Sequence, residues 1–138
     1  MVTRLRRALR RSIRTDYPWE ARPIAQIEVL QSVRDAGAIR IGDLAVRLRL
    51  AQSTVSALAS RLVSDGLLAR EVDSADRRAS VVELTDAGRQ QLQGWDAAHR
   101  RRLAAALGAL PRPERDTVIS ALPALGRLVE ALDEQGKP

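Results

Sequence analysis

IGDLAVRLRLAQSTVSALASRLVSDG, residues 41–66, carries the pattern on which the fold turns. Ile41, Leu44, Ala45 and Leu48 stand at i, i+3, i+4 and i+7, the spacing that stacks apolar side chains along one face of a helix. Gly42 lies near its N-cap, and Asp43 suits the positive end of its dipole. After Arg49-Leu50-Ala51 the spacing returns as Val55, Leu58, Ala59 and Leu62, and Asp65-Gly66 closes the second helix. Two short helices joined in this way, each with one apolar face, are what a helix-turn-helix requires: one face packs and the other stays free.

Toward the C-terminus, Gly66 to Val72 and Ala79 to Leu84 are rich in Val and Leu and flank the polar stretch Asp73 to Arg78. They read as an antiparallel hairpin with its charges at the tip. A short hairpin has no interior in which to bury Arg77 and Arg78, so solvent or an anion is their environment. A hairpin directly after a helix-turn-helix makes a winged helix. An arginine on a slender ribbon fits the narrow, strongly negative minor groove of A·T-rich DNA, which a helix cannot enter. Asp76, two residues before Arg78, is placed to hold that guanidinium in a bidentate pose. Arg78 as a solubilising turn residue is the plainer alternative, and Arg77 is assigned to phosphate or to water.

The rest of the chain is mostly helix. Val2, Leu5, Leu9 and Ile13 form an apolar stripe among Arg4, Arg6, Arg7, Arg10, Arg11 and Arg14, and Asp16, Pro18 and Pro23 interrupt it. A helix begins near Pro23, turns Ile24, Ile27, Leu30 and Val33 inward, and stops at Ala36-Gly37. Ile39-Arg40-Ile41 suffices only for a fragment of strand. Thr85 caps a long helix with the stripe Leu92, Trp95, His99, Leu103, Ala106 and Leu110. Pro111 and Pro113 break the chain, and Pro113 suits the first residue of a last helix. There Val118, Leu122, Leu125, Val129 and Leu132 repeat, and Pro123 predicts a kink. The expectation is a mainly α fold of about six helices with a small β-hairpin wing.

The bulk composition narrows the function. A chain of 138 residues suits one domain, and the absence of Phe leaves Leu, Val, Ile and Ala to build the core. Lys and Arg exceed Asp and Glu by six, which favours an anionic partner, although Arg-rich, Ala-rich usage also follows GC-rich bacterial coding. No Cys and a single His leave no thiolate or His-cluster metal site, so no metal or cofactor is expected. Neither a phosphate-cradling glycine loop nor a nucleophile–base spacing marks an enzyme. No apolar run reaches spanning length and no signal-peptide core is present, so the chain reads as soluble and cytoplasmic. The basic N-terminal helix has the look of an interfacial helix but lacks a Trp or Phe on its stripe.

On the second helix of the pair, the face opposite Val55, Leu58 and Leu62 carries Gln52, Ser53, Thr54, Ser56, Ala57 and Ser60. Such small polar residues allow close approach to DNA: Gln reads adenine bidentately, and serines reach phosphates or base edges. A merely solvated face is the alternative. Arg47, Arg49 and Arg61 are candidates for phosphate or for plain solvent.

Taken together these segments resemble the MarR family of bacterial winged-helix regulators, and the resemblance covers nearly the whole chain. The family's wing pattern D-x-R-D-x-R appears as DSADRR with Ala75 in place of its first Arg, running into VVELTDAGR. QSTVSALASRLVSDGLL resembles the recognition helix and its exit, PIAQIEVLQSV the helix before the reading head, and RPERDTVISAL the start of the last helix. Arg49 and Ala51 stand where many relatives have a turn glycine and a capping Ser or Asp, and Ala57 replaces a frequent recognition-helix arginine.

The resemblance implies a homodimer that binds double-stranded DNA without membrane association, with 38–85 as the reader and 1–37 and 86–138 as the helical region that intertwines with a second subunit. It also implies a small aromatic or lipophilic effector, for which Tyr17, Trp19, Trp95 and His99 are the lining candidates. The aromatics suit an ordinary core equally, and His99 on an apolar stripe is more often a satisfied core residue than a ligand. The rival to a ligand-responsive repressor on a pseudo-palindromic operator is a basic architectural or membrane-surface protein, binding by charge without regard to sequence.

Overall fold

Pro23 donates no backbone hydrogen bond and sits at the N-cap of helix α1, Ile24–Ala36, where no donor is needed. In the computed structural model, which describes residues 1, 3–5, 7–8, 22–72 and 80–135, α1 turns Ile27, Val29, Leu30 and Val33 inward. Ile24, expected on the same face, is 43% exposed, because it lies in the first turn, beyond the reach of the core. Gly37 ends the helix at φ +76°, a left-handed conformation that favours glycine. Residues 3–5 and 7–8 are helical and belong to the predicted N-terminal helix, which with the five helices from α1 onward makes six among the described residues.

Strand β1, Ile39–Arg40, leads directly into α2, Ile41–Leu48. The helix starts at Ile41, the first residue of the apolar spacing; Arg40 is its N-cap, with Gly42 close by, and no side chain caps it. Arg49 closes α2 in the left-handed region, φ 54° and ψ 41°, with its N–H donating to Val46 O at 3.1 Å and Leu50 N–H to Ala45 O at 3.1 Å. Helix α3, Gln52–Ser64, then starts from Ala51, which offers no capping side chain. Val55, Ala59 and Leu62, all at 0% exposure, hold α3 on the core.

Strands β2, Leu68–Val72, and β3, Ser80–Leu84, pair antiparallel with Leu68 opposite Leu84 and Val72 opposite Ser80. The fragment at Ile39–Arg40 joins them: Ile39 pairs with Val82 and Arg40 with Val81, giving the order β1-β3-β2. Two residues gain from a tertiary neighbour the ladder they could not make alone.

Helix α4 spans Asp86–Gly108 and α5 spans Arg112–Gln135, the latter continuing through Pro123. The chain divides into two compact units, Met1–His99 and Arg100–Pro138. In the first, Leu30, Leu44, Leu62, Leu67, Leu68, Val82 and Leu92 form one cluster with Val29, Val33 and Val55, and Trp95 packs on its edge. Truncating such a leucine to Ala costs about 2–5 kcal/mol. On α4, Leu103 and Ala106 of the predicted stripe are exposed, whereas Ala98, outside it, is 3% exposed. In the second unit, Val118, Leu122, Leu125, Val129 and Leu132 are all exposed on α5.

Candidate nucleic-acid interface

With its apolar side seated, α3 turns Gln52, Ser53, Thr54, Ala57, Ser60 and Arg61 to solvent, and Ser56 is half-buried. These are the residues the sequence proposes for base and phosphate contact, and they share one helix. Arg47 and Arg49, also exposed, lie on α2 and in the turn before α3. The two hydrogen bonds around Arg49 fix that turn, and with it the approach of α3 to α2.

At the far end of α3, Asp65 accepts a hydrogen bond from Arg22 Nη1 at 2.7 Å, and Arg61 Nε lies 3.4 Å away. Arg22 Nη1 also donates to Gln26 Oε1 at 2.7 Å. The Arg22 hydrogen bond, opposed by partial burial and reinforced by the charges of Arg22 and Arg61, holds the Asp65 carboxyl below its ordinary value. The network ties the exit of α3 to the segment before α1. Arg61, read from sequence as a phosphate contact, thus has a carboxylate beside it.

The root of the hairpin is pinned by Thr85. Its Oγ1 donates to Gly66 O at 2.6 Å and accepts from Gly88 N–H at 3.0 Å, so one hydroxyl both caps α4 and closes the hairpin base. Burial declines outward along the ribbon: Leu68 is 2% exposed and Val72 is 65% exposed. Over its described residues β2 thus leads out of the core. Asp76, Arg77 and Arg78 at its tip lie outside the described residues.

Arg70 of β2 escaped the sequence reading. Its Nη1 donates to Ser60 Oγ at 3.2 Å and its Nη2 to Ser56 Oγ at 3.4 Å, laying a guanidinium along the exposed flank of α3. The available signal was strand parity: Arg70 is two residues beyond buried Leu68 and therefore on the same face.

Of the effector candidates, Tyr17 and Trp19 lie outside the described residues. Trp95 and His99 are half-buried, with ring centroids 3.6 Å apart and planes at 42°. His99 Nδ1 is 2.9 Å from Trp95 O, and because a carbonyl only accepts, Nδ1 carries the proton in that contact. A cleft of about 140 Å³ opens between Val33, Arg34, Glu83, Leu84 and Arg89, and neither Trp95 nor His99 lines it. It is small beside the roughly 300–1,000 Å³ of sites that enclose a drug-sized ligand. Arg34 at its edge is paired with Asp96 at 2.8 Å and with Asp35 at 3.1 Å. Among the described residues no group of His, Cys, Asp and Glu converges as a metal site, and no helix is long and apolar enough to cross a membrane.

The model of the MarR family matches residues 23–80, which span α1 to the start of β3. The chain is 28% identical over 113 residues to the repressor MdtR of Bacillus subtilis, covering 82% of this chain and 71% of that one. Matches to two further Bacillus subtilis HTH-type regulators span 66% of those relatives' length. Among solved structures, a Pseudomonas aeruginosa PA01 protein assigned to transcriptional regulation superposes with a TM-score of 0.74 at 31% identity, covering 94% of this chain and 87% of that one. BpsR of Bordetella bronchiseptica, whose DNA binding is regulated by 6-hydroxynicotinic acid, superposes at 0.64 with 27% identity, over 91% of this chain and 89% of that one.

Proposed function

The chain belongs to the MarR family of transcriptional regulators, and from that premise we propose that it is a homodimeric repressor that reads a pseudo-palindromic operator. The observation that carries this reading is the outward small-polar face of α3, held rigid by Val55, Ala59 and Leu62 beneath it. In a dimer the two α3 helices enter successive major grooves, about 34–36 Å apart along the duplex. Gln52 reads a base edge, Ser53, Thr54, Ser56, Ala57 and Ser60 give close approach, and Arg47, Arg49 and Arg61 meet phosphates. Arg78, oriented by Asp76 and flanked by Arg77, enters the minor groove from the wing tip.

The exposed stripe on α5 supports dimerisation, since a row of Val and Leu at helical spacing in water is stabilised by a second copy. Regulation of BpsR by an aromatic acid supports an effector of that class here, acting in the region of Tyr17, Trp19, Trp95 and His99 by favouring a head spacing that no longer fits B-DNA. The protein then works in the cytoplasm, on chromosomal DNA.

Selection of bound duplexes from a random pool at physiological salt tests the reading. A two-fold symmetric motif is expected, bound at least tenfold more weakly by Arg78→Ala. Recovery of no motif, with binding governed by salt alone, would instead establish the architectural alternative.

A further inference from the structure

Side chains alternate along a strand, so Arg70 occupies the face on which Leu68 enters the core. The core ends there, and Arg70 passes over α3 to Ser56 and Ser60, which stand one turn apart on that helix. Arg61 is the only charged residue within α3, and Asp65 lies 3.4 Å from it. Arg70 differs: its partners among the described residues are two neutral hydroxyls, and neither carries a charge that would offset its own. A guanidinium has five N–H donors, so three remain for an anion.

We infer that Arg70 contacts DNA, presenting its guanidinium to a backbone phosphate at the edge of the major groove that receives α3. Ser56 and Ser60 are positioning residues that hold the side chain along the helix flank. The inference rests on the DNA-reading function proposed above. A phosphate is the target because β2 runs from the helix assigned to the major groove toward the tip assigned to the minor groove. The sugar–phosphate backbone is what lies between two adjacent grooves.

The test uses the full chain on the selected duplex and on duplexes with single base changes. Arg70→Gln keeps a polar side chain near the serines without the charge, and Arg70→Lys keeps the charge without the planar fork. Arg70→Gln is expected to bind at least tenfold more weakly on every duplex alike. The slope of log affinity against log salt should become shallower by about 0.9 for each phosphate that is no longer neutralised, twice that for a dimer. Arg70→Lys should keep the slope, and Ser56→Ala with Ser60→Ala should weaken binding more in the wild type than in Arg70→Gln, the difference being the part that acts through Arg70. Unchanged affinity and slope, or weaker binding with an unchanged slope, overturns the contact. Weakening confined to one base position overturns the phosphate assignment. If the wild type selects no motif, the proposed function fails, yet the Arg70→Gln slope on any duplex still decides whether Arg70 meets a phosphate.

Discussion

Gly88, in the first turn of α4, lies so close to the Leu67 carbonyl oxygen that a Cβ at residue 88 would fall on that oxygen and 3.0 Å from Leu84 Cδ2. The helix approaches the hairpin root at this point because Thr85 bonds both Gly66 and Gly88. Gly88→Ala is therefore expected to destabilise by about 1–3 kcal/mol through overpacking, although Ala favours helix over Gly by about 1 kcal/mol. Urea denaturation measures it, and a midpoint at or above that of the wild type would refute the close approach.

Arg49 is the residue other than glycine that adopts positive φ among the described residues, at 54°. Left-handed backbone costs a residue with a Cβ about 1–2 kcal/mol, which glycine escapes. Arg49→Gly should raise stability by about 1 kcal/mol while weakening DNA binding, because the same change removes a proposed phosphate contact. Opposite signs in the two assays are the signature. A fall in stability would mean that the guanidinium's own contacts outweigh the relief of the backbone.

Asp65 titrates below its ordinary value of 3.8 in the folded chain, chiefly through Arg22. A depressed carboxyl contributes stability that is fully present above the unfolded value and lost as pH falls through the folded one. Wild type should therefore lose more stability than Asp65→Asn between neutral pH and the acid side of 3.8. Parallel loss in the two proteins, followed by denaturation across that window, would exclude the Arg22–Asp65 pair as the cause.

The apolar row on α5 leaves Leu122 53%, Leu125 49%, Val129 57% and Leu132 58% exposed. Sedimentation at micromolar concentration is expected to show a dimer for the wild type and a monomer for Leu125→Glu with Val129→Glu, since two carboxylates in an apolar interface are left unpaired. DNA affinity should fall in step. A dimeric variant would place the interface elsewhere.

Most of the fold is legible in the sequence, and the reason is locality. The apolar spacings of α1, α2, α3 and α5, the stop at Gly37, the cap at Thr85 and the strands either side of the wing depend on residues within one or two turns of each other. Helix starts are less legible: Arg40 and Ala51 occupy N-caps without capping side chains, so no chemical mark identifies them. The exposed face of α3 follows from the position of its buried face, as the helical period requires.

Local pattern alone settled which of the described segments coil, which extend and, in α1, α2 and α3, which side seeks the interior. Meetings between segments distant in the chain were settled by the packed molecule: Ile39 against Val82, Arg22 against Asp65 across 43 positions, and Arg70 laid on Ser56 and Ser60. A periodicity records only a residue's near neighbours. Which cation reaches which hydroxyl depends on where the shared core ends, and that boundary exists only once β2, α3 and α4 have closed over Leu62, Leu67 and Leu92.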